Sequence, residues 1–447
     1  MIKTENNNQI NNENENENNN NNKKIKLEND NNNNENGSDN KSIKLELIAD
    51  YDDDDNEHVS NNNNNNNVNN PFAINYVDCS KYVCNDLNNI RAHIDTYGVA
   101  VVLNVINKEK CETLYNDTWT VIENMSSEFS NEPMEKITGT GHVMKREPCL
   151  PIKRDDATTW AGLGELGPST RTIHQTGTCG LIKPCWEVRS DPNVMEVFSK
   201  LHNVEKDQLV TSTDAFGFFL PNYNKKGYHG NAKKQPTNAE KLRNLVNLHV
   251  DTVYTPKCLE RDYVQSFINV RETTAGQATF CFIPESHNLH FELAEKFPEK
   301  KTRKENFGIL NPPELDWLIT EKKKRVEALI LPSGCMVLFY SRTVHCGAKP
   351  MVASSDEQIR LTFYVCQIPL TKKWITEREL TRKVCYLKQG RTTTHQPSDF
   401  KLFDKSYNKR FGITQKIVYP HFDWTTLTNT QKQLVGLDQN NNLKKIN

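Results

Sequence analysis

The chain has 447 residues, 36% of them hydrophobic, and its 56 basic side chains nearly balance its 57 acidic ones. This balance gives no indication of a strongly charged partner such as nucleic acid or an anionic membrane surface. The sequence has no run of about 18 to 20 apolar residues and no apolar signal core at its amino terminus. We therefore expect an intracellular, cytoplasmic protein without a membrane span.

The 12 cysteines agree with that expectation. They include no C-x-x-C pair, and their spacing is typical of neither a disulfide framework nor a zinc knuckle. Cys281, Cys335 and Cys366 lie inside apolar runs, so we expect them to be small buried hydrophobic residues.

Residues 1–72 are dominated by asparagine, with acidic and lysine residues scattered between the asparagine runs. A segment with so little apolar surface cannot offset the loss of chain entropy, so we expect this tail to be disordered. The tail is either a tolerated low-complexity expansion, which the composition favours, or a self-associating segment.

Residues 73–207 predict helices and loops around one strand. The valine-rich stretch 98–103 suits a pleated surface and predicts that strand. Asp191-Pro192 is a typical helix start, and apolar residues follow it at helical spacing. The stretch 138–180, rich in Gly, Pro, Arg and Thr, predicts extended loops.

From residue 208 to residue 370 short apolar runs follow one another, separated by turn signals. No helix is regularly interposed, so we expect a mainly β domain with flanking helices, a sandwich or jelly roll. The runs are 208–220, 245–252, 263–270, 277–284, 328–331, 335–340 and 359–368. Residues 371–447 predict an extension that packs on this core and ends in a candidate helix over 428–437.

Three residues in these runs predict a metal site. His249 and Asp251 are two positions apart, and residues two apart on a strand project to the same face, whereas Val250 would point into packing. With His345 they form the ligand set of a non-haem Fe(II) facial triad, which leaves three coordination positions open. The H-x-D spacing alone is weak, because a chain with 12 histidines produces such matches by chance.

Arg360 opens a predicted strand in which Arg360, Thr362 and Tyr364 share one face. A guanidinium that points into a barrel is costly unless an anion meets it, and a dicarboxylate would supply a bidentate partner. A second interpretation stays open, in which Arg360 lies on an exposed edge and pairs with Glu357 or with water.

The stretch 332–347, PSGCMVLFYSRTVHCG, contains the second histidine, and the stretch 282–287, FIPESH, contains a proline-x-serine-histidine turn. The H-x-D pair, this turn, the distal histidine and an arginine follow one another between residues 97 and 370. In form and order these motifs resemble the phytanoyl-CoA dioxygenase-like family of Fe(II)/2-oxoglutarate-dependent dioxygenases. Glu285 stands where glycine is more usual in that turn.

The resemblance implies a double-stranded β-helix, a cupin-like jelly roll, that uses Fe(II), 2-oxoglutarate and O2, with ascorbate as a possible addition. It implies that His249, Asp251 and His345 hold the metal and that no further catalytic residue is needed. Arg360 would bind 2-oxoglutarate with help from Thr362, although Thr362 also fits a packing role in its strand.

The implied reaction is hydroxylation of an unidentified small organic molecule, with release of succinate and carbon dioxide. The carboxylate of Asp251 argues against the halogenase branch of such enzymes. Two other functions stay open: a catalytically silent metal-binding or interaction module, and a metal isomerase or hydrolase on a similar barrel. No nucleic-acid or membrane partner is expected, and the sequence does not predict the oligomeric state.

Several further residues have two interpretations each. His287, in the turn, and Cys346, beside the distal histidine, are expected to be structural. Arg391 and His395 either reach the substrate pocket or belong to a segment that caps the barrel, and capping is favoured. The polar loop 221–241 is a candidate lid.

Overall fold

The structure is a computed structural model that describes residues 42–45, 70–130, 134–137, 143–146, 150–166, 173–219, 237–302, 306–348, 350, 359–402 and 416–446. Nearly all of the asparagine-rich tail and most of the candidate lid therefore lie outside the described residues. Within the segment predicted to be disordered, Ser42–Leu45 forms a strand antiparallel to Ile74–Asp78, which composition did not predict.

The described strands number from β1 to β17 along the chain. They are β1 (Ser42–Leu45), β2 (Ile74–Asp78), β3 (Val99–Val102), β4 (Met134–Ile137), β5 (Val143–Arg146), β6 (Ile173–His174), β7 (Leu209–Thr211), β8 (Phe216–Phe219), β9 (His249–Val250), β10 (Val264–Asn269), β11 (Phe280–Phe282), β12 (Gly308–Ile309), β13 (Val326–Ile330), β14 (Cys335–Tyr340), β15 (His345–Gly347), β16 (Arg360–Val365) and β17 (Gln367–Pro369).

The described α-helices number from α1 to α11. They are α1 (Ile90–Tyr97), α2 (Lys108–Met125), α3 (Leu163–Leu166), α4 (Lys183–Arg189), α5 (Pro192–His202), α6 (Asn238–Leu245), α7 (Lys257–Glu260), α8 (His290–Lys296), α9 (Pro312–Asp316), α10 (Glu377–Lys388) and α11 (Asn429–Val435). No helix in the described part of the chain is long and apolar enough to cross a membrane.

Two large sheets form the centre of the domain. One has seven strands in the order β1-β2-β13-β11-β15-β9-β12, and the other has six in the order β3-β14-β10-β16-β8-β6. Neighbouring strands are antiparallel, except that β2 and β13 are parallel. The sheets therefore include β2, β3 and β6, which precede the run of strands that begins at residue 208.

The two sheets pack face to face. Phe267 and Phe339 of the six-stranded sheet contact Phe280 of the seven-stranded sheet, with ring centroids 5.4 and 4.9 Å apart. Val101 and Leu329 belong to the same buried cluster between the sheets. These inward residues alternate with outward ones, as expected for strands buried on both faces. The prediction of an antiparallel β domain with flanking helices is confirmed at this level.

Helices cover both outer faces. Trp119 of α2 and Phe198 of α5 share one buried cluster with Leu361 of β16, on the outer face of the six-stranded sheet. On the other side, Leu242 of α6 packs in a cluster with Val250 of β9. Because helices cover the outer faces, most strands of the two sheets are buried on both faces.

Local sequence signals account for several elements. The predicted strand at 98–103 is β3, and the predicted helix at Asp191-Pro192 is α5, whose first turn is capped when the Asp191 carboxylate accepts from Asn193 N at 2.9 Å. The candidate helix at 428–437 is α11, with a capping box between Thr428 and Gln431. Within the predicted run 245–252, only His249–Val250 forms a strand, β9, and Leu245 is the last residue of α6.

One buried cation makes stability depend on pH. Lys383 of α10 is buried and donates to the Thr211 carbonyl oxygen. Burial lowers the pKa of Lys383 to about 7, and the nearby Arg189 guanidinium adds to this effect. Between about pH 7 and the ordinary lysine pKa of 10.5, the unfolded chain binds a proton that the folded protein does not. The free energy of unfolding therefore rises with pH over this interval.

We predict that changing Lys383→Met removes this rise. From pH 7 to pH 10 the wild type should gain more than about 1 kcal/mol of unfolding free energy relative to the variant, since one pKa unit corresponds to about 1.4 kcal/mol. Chemical denaturation at the two pH values measures the difference. Lys388→Met, on the exposed side of the same helix, should behave as the wild type, and parallel curves for all three proteins would contradict the assignment.

Candidate metal centre

The two histidines of the predicted triad lie opposite each other on neighbouring strands. His345 of β15 pairs directly with His249 of β9, and their ring centroids are 4.6 Å apart. Both side chains point into the space between the sheets, whereas Val250 and Cys346 belong to the outer cluster. The pleat of the two strands therefore sends the imidazoles inward and their chain neighbours outward.

Asp251 completes the cluster. Its Oδ2 lies 3.3 Å from His345 Nε2, and its Oδ1 lies 3.9 Å from His249 Nε2. One ligand atom from each of these three residues lies within 4.8 Å of the others, so the group could hold a metal ion. The donor set of two imidazoles and one carboxylate matches the facial triad of non-haem Fe(II) proteins.

Backbone carbonyls set the tautomer of both histidines. His249 Nδ1 lies 2.6 Å from the Asn247 carbonyl oxygen, and His345 Nδ1 lies 2.8 Å from that of Thr343. A carbonyl oxygen only accepts, so each Nδ1 carries the proton and each Nε2 presents a lone pair. Metal-binding histidines are usually oriented by a hydrogen bond of this kind from the other ring nitrogen.

The electrostatics favour the protonation states that a metal requires. Burial lowers the pKa of His249 to about 4, and the neighbouring His345 acts in the same direction. Burial by itself would raise the pKa of Asp251, but His395, His345 and His249 outweigh it and hold that pKa well below its ordinary value. At neutral pH His249 is therefore neutral and Asp251 is ionised.

Gln265 of β10 supports Asp251. Its Nε2 donates to Asp251 Oδ2 and to Ser341 Oγ, both at 3.0 Å. The backbone of Asp251 is held as well, because its N–H donates to the Ser341 carbonyl oxygen at 2.8 Å. We did not identify Gln265 from the sequence; its inward position two residues before Phe267 on β10 is the signal that period-two reasoning offers.

Arg360 is buried, with 6% of its surface exposed, at the start of β16. Its guanidinium lies over the rings of Phe219 and Phe267, 4.8 and 5.2 Å from their centroids. Nε donates a long hydrogen bond of 3.5 Å to Asn269 Oδ1. Among the described residues no carboxylate pairs with Arg360, and burial lowers its pKa to about 10. The interpretation as a solvated edge arginine is therefore wrong; Glu357 lies outside the described residues.

Thr362 and Tyr364 lie on the same face of β16 as Arg360. Thr362 is fully buried, and in the described part of the chain no group makes a well-formed hydrogen bond to its Oγ1. The Tyr364 hydroxyl lies near that oxygen, and a Cβ on Gly217 would come within 2.7 Å of Thr362 Oγ1. The absence of a side chain at Gly217 thus lets the Thr362 and Tyr364 hydroxyls approach its backbone more closely than a Cβ would allow.

Aromatic rings connect the arginine with the triad. Phe267, under Arg360, contacts Phe280, whose ring centroid is 5.8 Å from that of His345. Phe219 packs against the guanidinium on one side, and a Cβ on Gly347 would lie 3.1 Å from its ring. Arg360 is therefore linked to His345 of the triad by successive contacts through the Phe267 and Phe280 rings between the sheets.

The other histidines near the turn make contacts outside the triad. His287 Nε2 lies 2.9 Å from the Asp95 carbonyl oxygen and its ring stacks on Tyr340, as expected for a structural residue. His290 stacks on Tyr254 at 4.4 Å. Arg391 follows α10, where its backbone N donates to the Tyr386 carbonyl oxygen.

No family model matches the chain. It is 26% identical over 214 residues to the Ava biosynthesis cluster protein O of Aspergillus versicolor, an alignment that covers 46% of this chain and 60% of that protein. The chain thus matches less than two thirds of the length of this curated relative.

Several solved structures resemble the fold distantly. The epimerase SnoN, in complex with Fe3+, alpha-ketoglutarate and nogalamycin RO, is 13% identical, with 64% of this chain and 84% of that chain covered and a TM-score of 0.38. The hypothetical protein JW0805 from Escherichia coli is 11% identical, with 78% and 82% covered and a TM-score of 0.46. EvdO2 from Micromonospora carbonacea, complexed with 2-oxoglutarate, is 13% identical, with 62% and 88% covered and a TM-score of 0.31. Likenesses this distant assign no function to this chain.

We predict that Gln265→Met weakens metal binding. The substitution keeps the side chain's length but removes the hydrogen bond to the Asp251 carboxylate and the one to Ser341 Oγ, and loss of such support typically lowers metal affinity about 10- to 100-fold. Anaerobic calorimetric titration with Fe(II) measures the change. Gln389→Met, at an exposed position, is the matched control, and equal Fe(II) affinity in both variants would refute the role of Gln265.

Proposed function

We propose that this protein is an Fe(II)- and 2-oxoglutarate-dependent oxygenase that hydroxylates a small organic molecule. The observation that carries the proposal is Arg360, which is buried without a carboxylate partner among the described residues and is linked through the Phe267 and Phe280 rings to a two-histidine, one-carboxylate cluster. A buried cation without an anion is costly, and a dicarboxylate bound between Arg360 and the metal would offset that cost.

The residues of this site fit both Fe(II) and 2-oxoglutarate. His249 Nε2, His345 Nε2 and one Asp251 oxygen would hold the metal, since these atoms converge and the opposite ring nitrogens are already bonded. Arg360 would bind the far carboxylate of 2-oxoglutarate, and the buried Thr362 hydroxyl beside Tyr364 would donate to it. When bound, Fe(II) and 2-oxoglutarate supply the activation of dioxygen, with succinate and carbon dioxide as products.

The protein's own residues position the metal ligands and exclude water. Gln265 holds the Asp251 carboxylate, and the carbonyl oxygens of Asn247 and Thr343 hold the imidazole rings. Phenylalanine rings lie between the triad and Arg360. These apolar rings exclude water from the region around both, which strengthens electrostatic interactions there.

The core topology, the family and the domain limits are part of the same proposal. We infer a double-stranded β-helix core and membership of the phytanoyl-CoA dioxygenase-like group, supported by the order of the motifs and by the inward direction of Arg360. We also infer a domain that extends from residue 73 to residue 370 and a C-terminal extension over 371–447. Asp251 supports hydroxylation over halogenation, because the carboxylate fills a coordination position.

We predict that Asp251→Ala abolishes succinate formation from 2-oxoglutarate and weakens Fe(II) binding at least about 100-fold, because one of three ligands is lost. Succinate release in the presence of Fe(II) and O2, together with metal titration, measures both effects. Circular dichroism should show an intact fold. Wild-type protein that takes up Fe(II) but neither binds 2-oxoglutarate nor forms succinate would instead support a catalytically silent module.

We predict that Arg360→Met separates the two binding events. Fe(II) affinity should be unchanged, whereas the Kd for 2-oxoglutarate should rise at least about 100-fold, because a buried bidentate ion pair is lost. Calorimetry on the Fe(II)-loaded protein measures both constants. Without 2-oxoglutarate the variant should unfold at the same or a higher temperature than the wild type, since the buried charge is removed.

Arg382→Met, at an exposed position of α10, is the matched control for that experiment. It should bind Fe(II) and 2-oxoglutarate as the wild type does. If Arg360→Met also bound 2-oxoglutarate normally, the assignment of Arg360 would be wrong.

A further inference from the structure

The segment after α10 runs along the metal centre and is fixed on both sides of His395. Thr393 N donates to the Thr213 carbonyl oxygen at 3.1 Å, and the two threonine hydroxyls are 3.0 Å apart. Gln396 Nε2 donates to the backbone carbonyl oxygen of Asp251 at 3.4 Å. His395 is therefore held beside a proposed metal ligand by its chain neighbours.

The imidazole of His395 is available to bind a ligand. Its Nε2 is buried and has no hydrogen-bond partner among the described residues. Burial raises the pKa of Asp214, and the His395 imidazole, which interacts electrostatically with Asp214 and with Asp251, acts to lower the pKa of both carboxyls. A buried nitrogen that lies near two carboxylates and bonds to neither is costly in the free protein, and a ligand that bonds to it removes that cost.

Asp214 offers a complementary acceptor. The residue is only 2% exposed, and its Oδ1 accepts from Ala215 N at 2.7 Å and from Gln175 Nε2 at 3.3 Å. No described residue donates to Oδ2. One carboxylate oxygen of Asp214 is thus fixed by the protein, and the other can accept a hydrogen bond from a ligand.

Phe307 provides an apolar surface on the accessible side of the triad. Its ring centroid is 4.9 Å from that of His249, yet 45% of the residue is exposed. His249 is the most exposed of the three proposed ligands, at 19% of its side chain. The adjacent Asn306 donates to Gln396 Oε1 at 3.0 Å, which connects this surface with the segment that carries His395.

We propose that His395 and Asp214 bind a hydroxyl group of the substrate beside the metal centre, while Phe307 contacts the hydrocarbon part of the same molecule. The substrate class is therefore an alcohol on an apolar carbon framework. A hydroxyl group can donate to Asp214 Oδ2 and accept from His395 Nε2, which neither a carboxylate nor a plain hydrocarbon can do. This proposal rests on the proposed function, because that function places 2-oxoglutarate on the deep side, toward Arg360.

The test uses the full chain loaded with Mn(II) and 2-oxoglutarate, and two probes that differ in one group: 4-fluorobenzyl alcohol and 4-fluorotoluene. Paramagnetic relaxation of the fluorine signal reports binding near the metal, and titration gives the affinity of each probe. The wild type should bind the alcohol about tenfold more tightly than the toluene, a difference of about 1.4 kcal/mol. Equal affinities for the two probes would overturn the proposal.

Matched variants identify the residues. His395→Phe keeps a ring but removes the nitrogen, so the alcohol should bind about tenfold more weakly, while His395→Gln, whose amide nitrogen replaces Nε2, should retain affinity. Asp214→Asn keeps the acceptor at Oδ1 but replaces Oδ2 with a donor, so it should lose the preference for the alcohol. Phe307→Ala should weaken the binding of both probes. His421→Gln, at an exposed position, should change the affinity for neither probe.

Separate readouts distinguish failure of this inference from failure of the proposed function. Calorimetry with Mn(II) and 2-oxoglutarate tests the function without either probe. If the loaded wild type and His395→Phe bind the alcohol equally, the hydroxyl site is wrong and the oxygenase assignment stands. If the wild type binds Mn(II) but not 2-oxoglutarate, the oxygenase assignment and the hydroxyl site are both wrong.

Discussion

The direct pairing of His345 with His249 across β15 and β9 is the constraint on which the rest of the site depends. A shift of one residue in this register would turn one imidazole outward and replace it with Val250 or Cys346, both of which pack under the helices. The register is enforced by those same outward residues, because exposing them to the inter-sheet space would remove them from a buried cluster. Core packing and metal geometry are thus consequences of one strand alignment.

The space between the sheets changes character along its length. Towards Leu329 and Val101 it is filled by apolar side chains, whereas it also contains the buried Arg360 guanidinium and the buried Thr362 hydroxyl. Burying the guanidinium without a carboxylate partner among the described residues lowers the stability of the free protein, since the charge loses hydration. Ligand binding would recover that free energy, which supports the proposal that Arg360 and Thr362 form a binding surface.

The turn before His287 places a residue other than glycine in the left-handed region of backbone conformation. Glu285 occupies the left-handed region with φ of 61°, where glycine is favoured and a larger side chain is strained. Its carboxylate forms an ion pair of 2.7 Å with Lys324. Its backbone N donates to the Tyr97 carbonyl oxygen at 3.0 Å. Neighbouring structure thus holds a conformation that the residue type alone disfavours.

Period-two reasoning on the sequence determined which residues of one strand share a face. It predicted that His249 and Asp251 point the same way, that Val250 packs outward and that Arg360 and Thr362 share a face, because side-chain direction on a strand depends only on position. It did not determine that the Arg360 face is the inner one, since an edge arginine has the same local pattern. That depended on which strands pair with β16 and on Phe219 and Phe267 closing over the guanidinium.

The tertiary structure also decided which distant residues join the triad. Gln265 lies 14 positions from Asp251, Asp214 lies 37 positions before it and His395 lies 144 positions after it, by subtraction of their numbers. No spacing rule connects such residues, because strand pairing and the path of the C-terminal segment bring them together. The sequence by itself determined the candidate ligand set, through residue types and strand period. The buried surroundings of that ligand set, and hence the proposed alcohol site, depended on contacts between segments far apart in the chain.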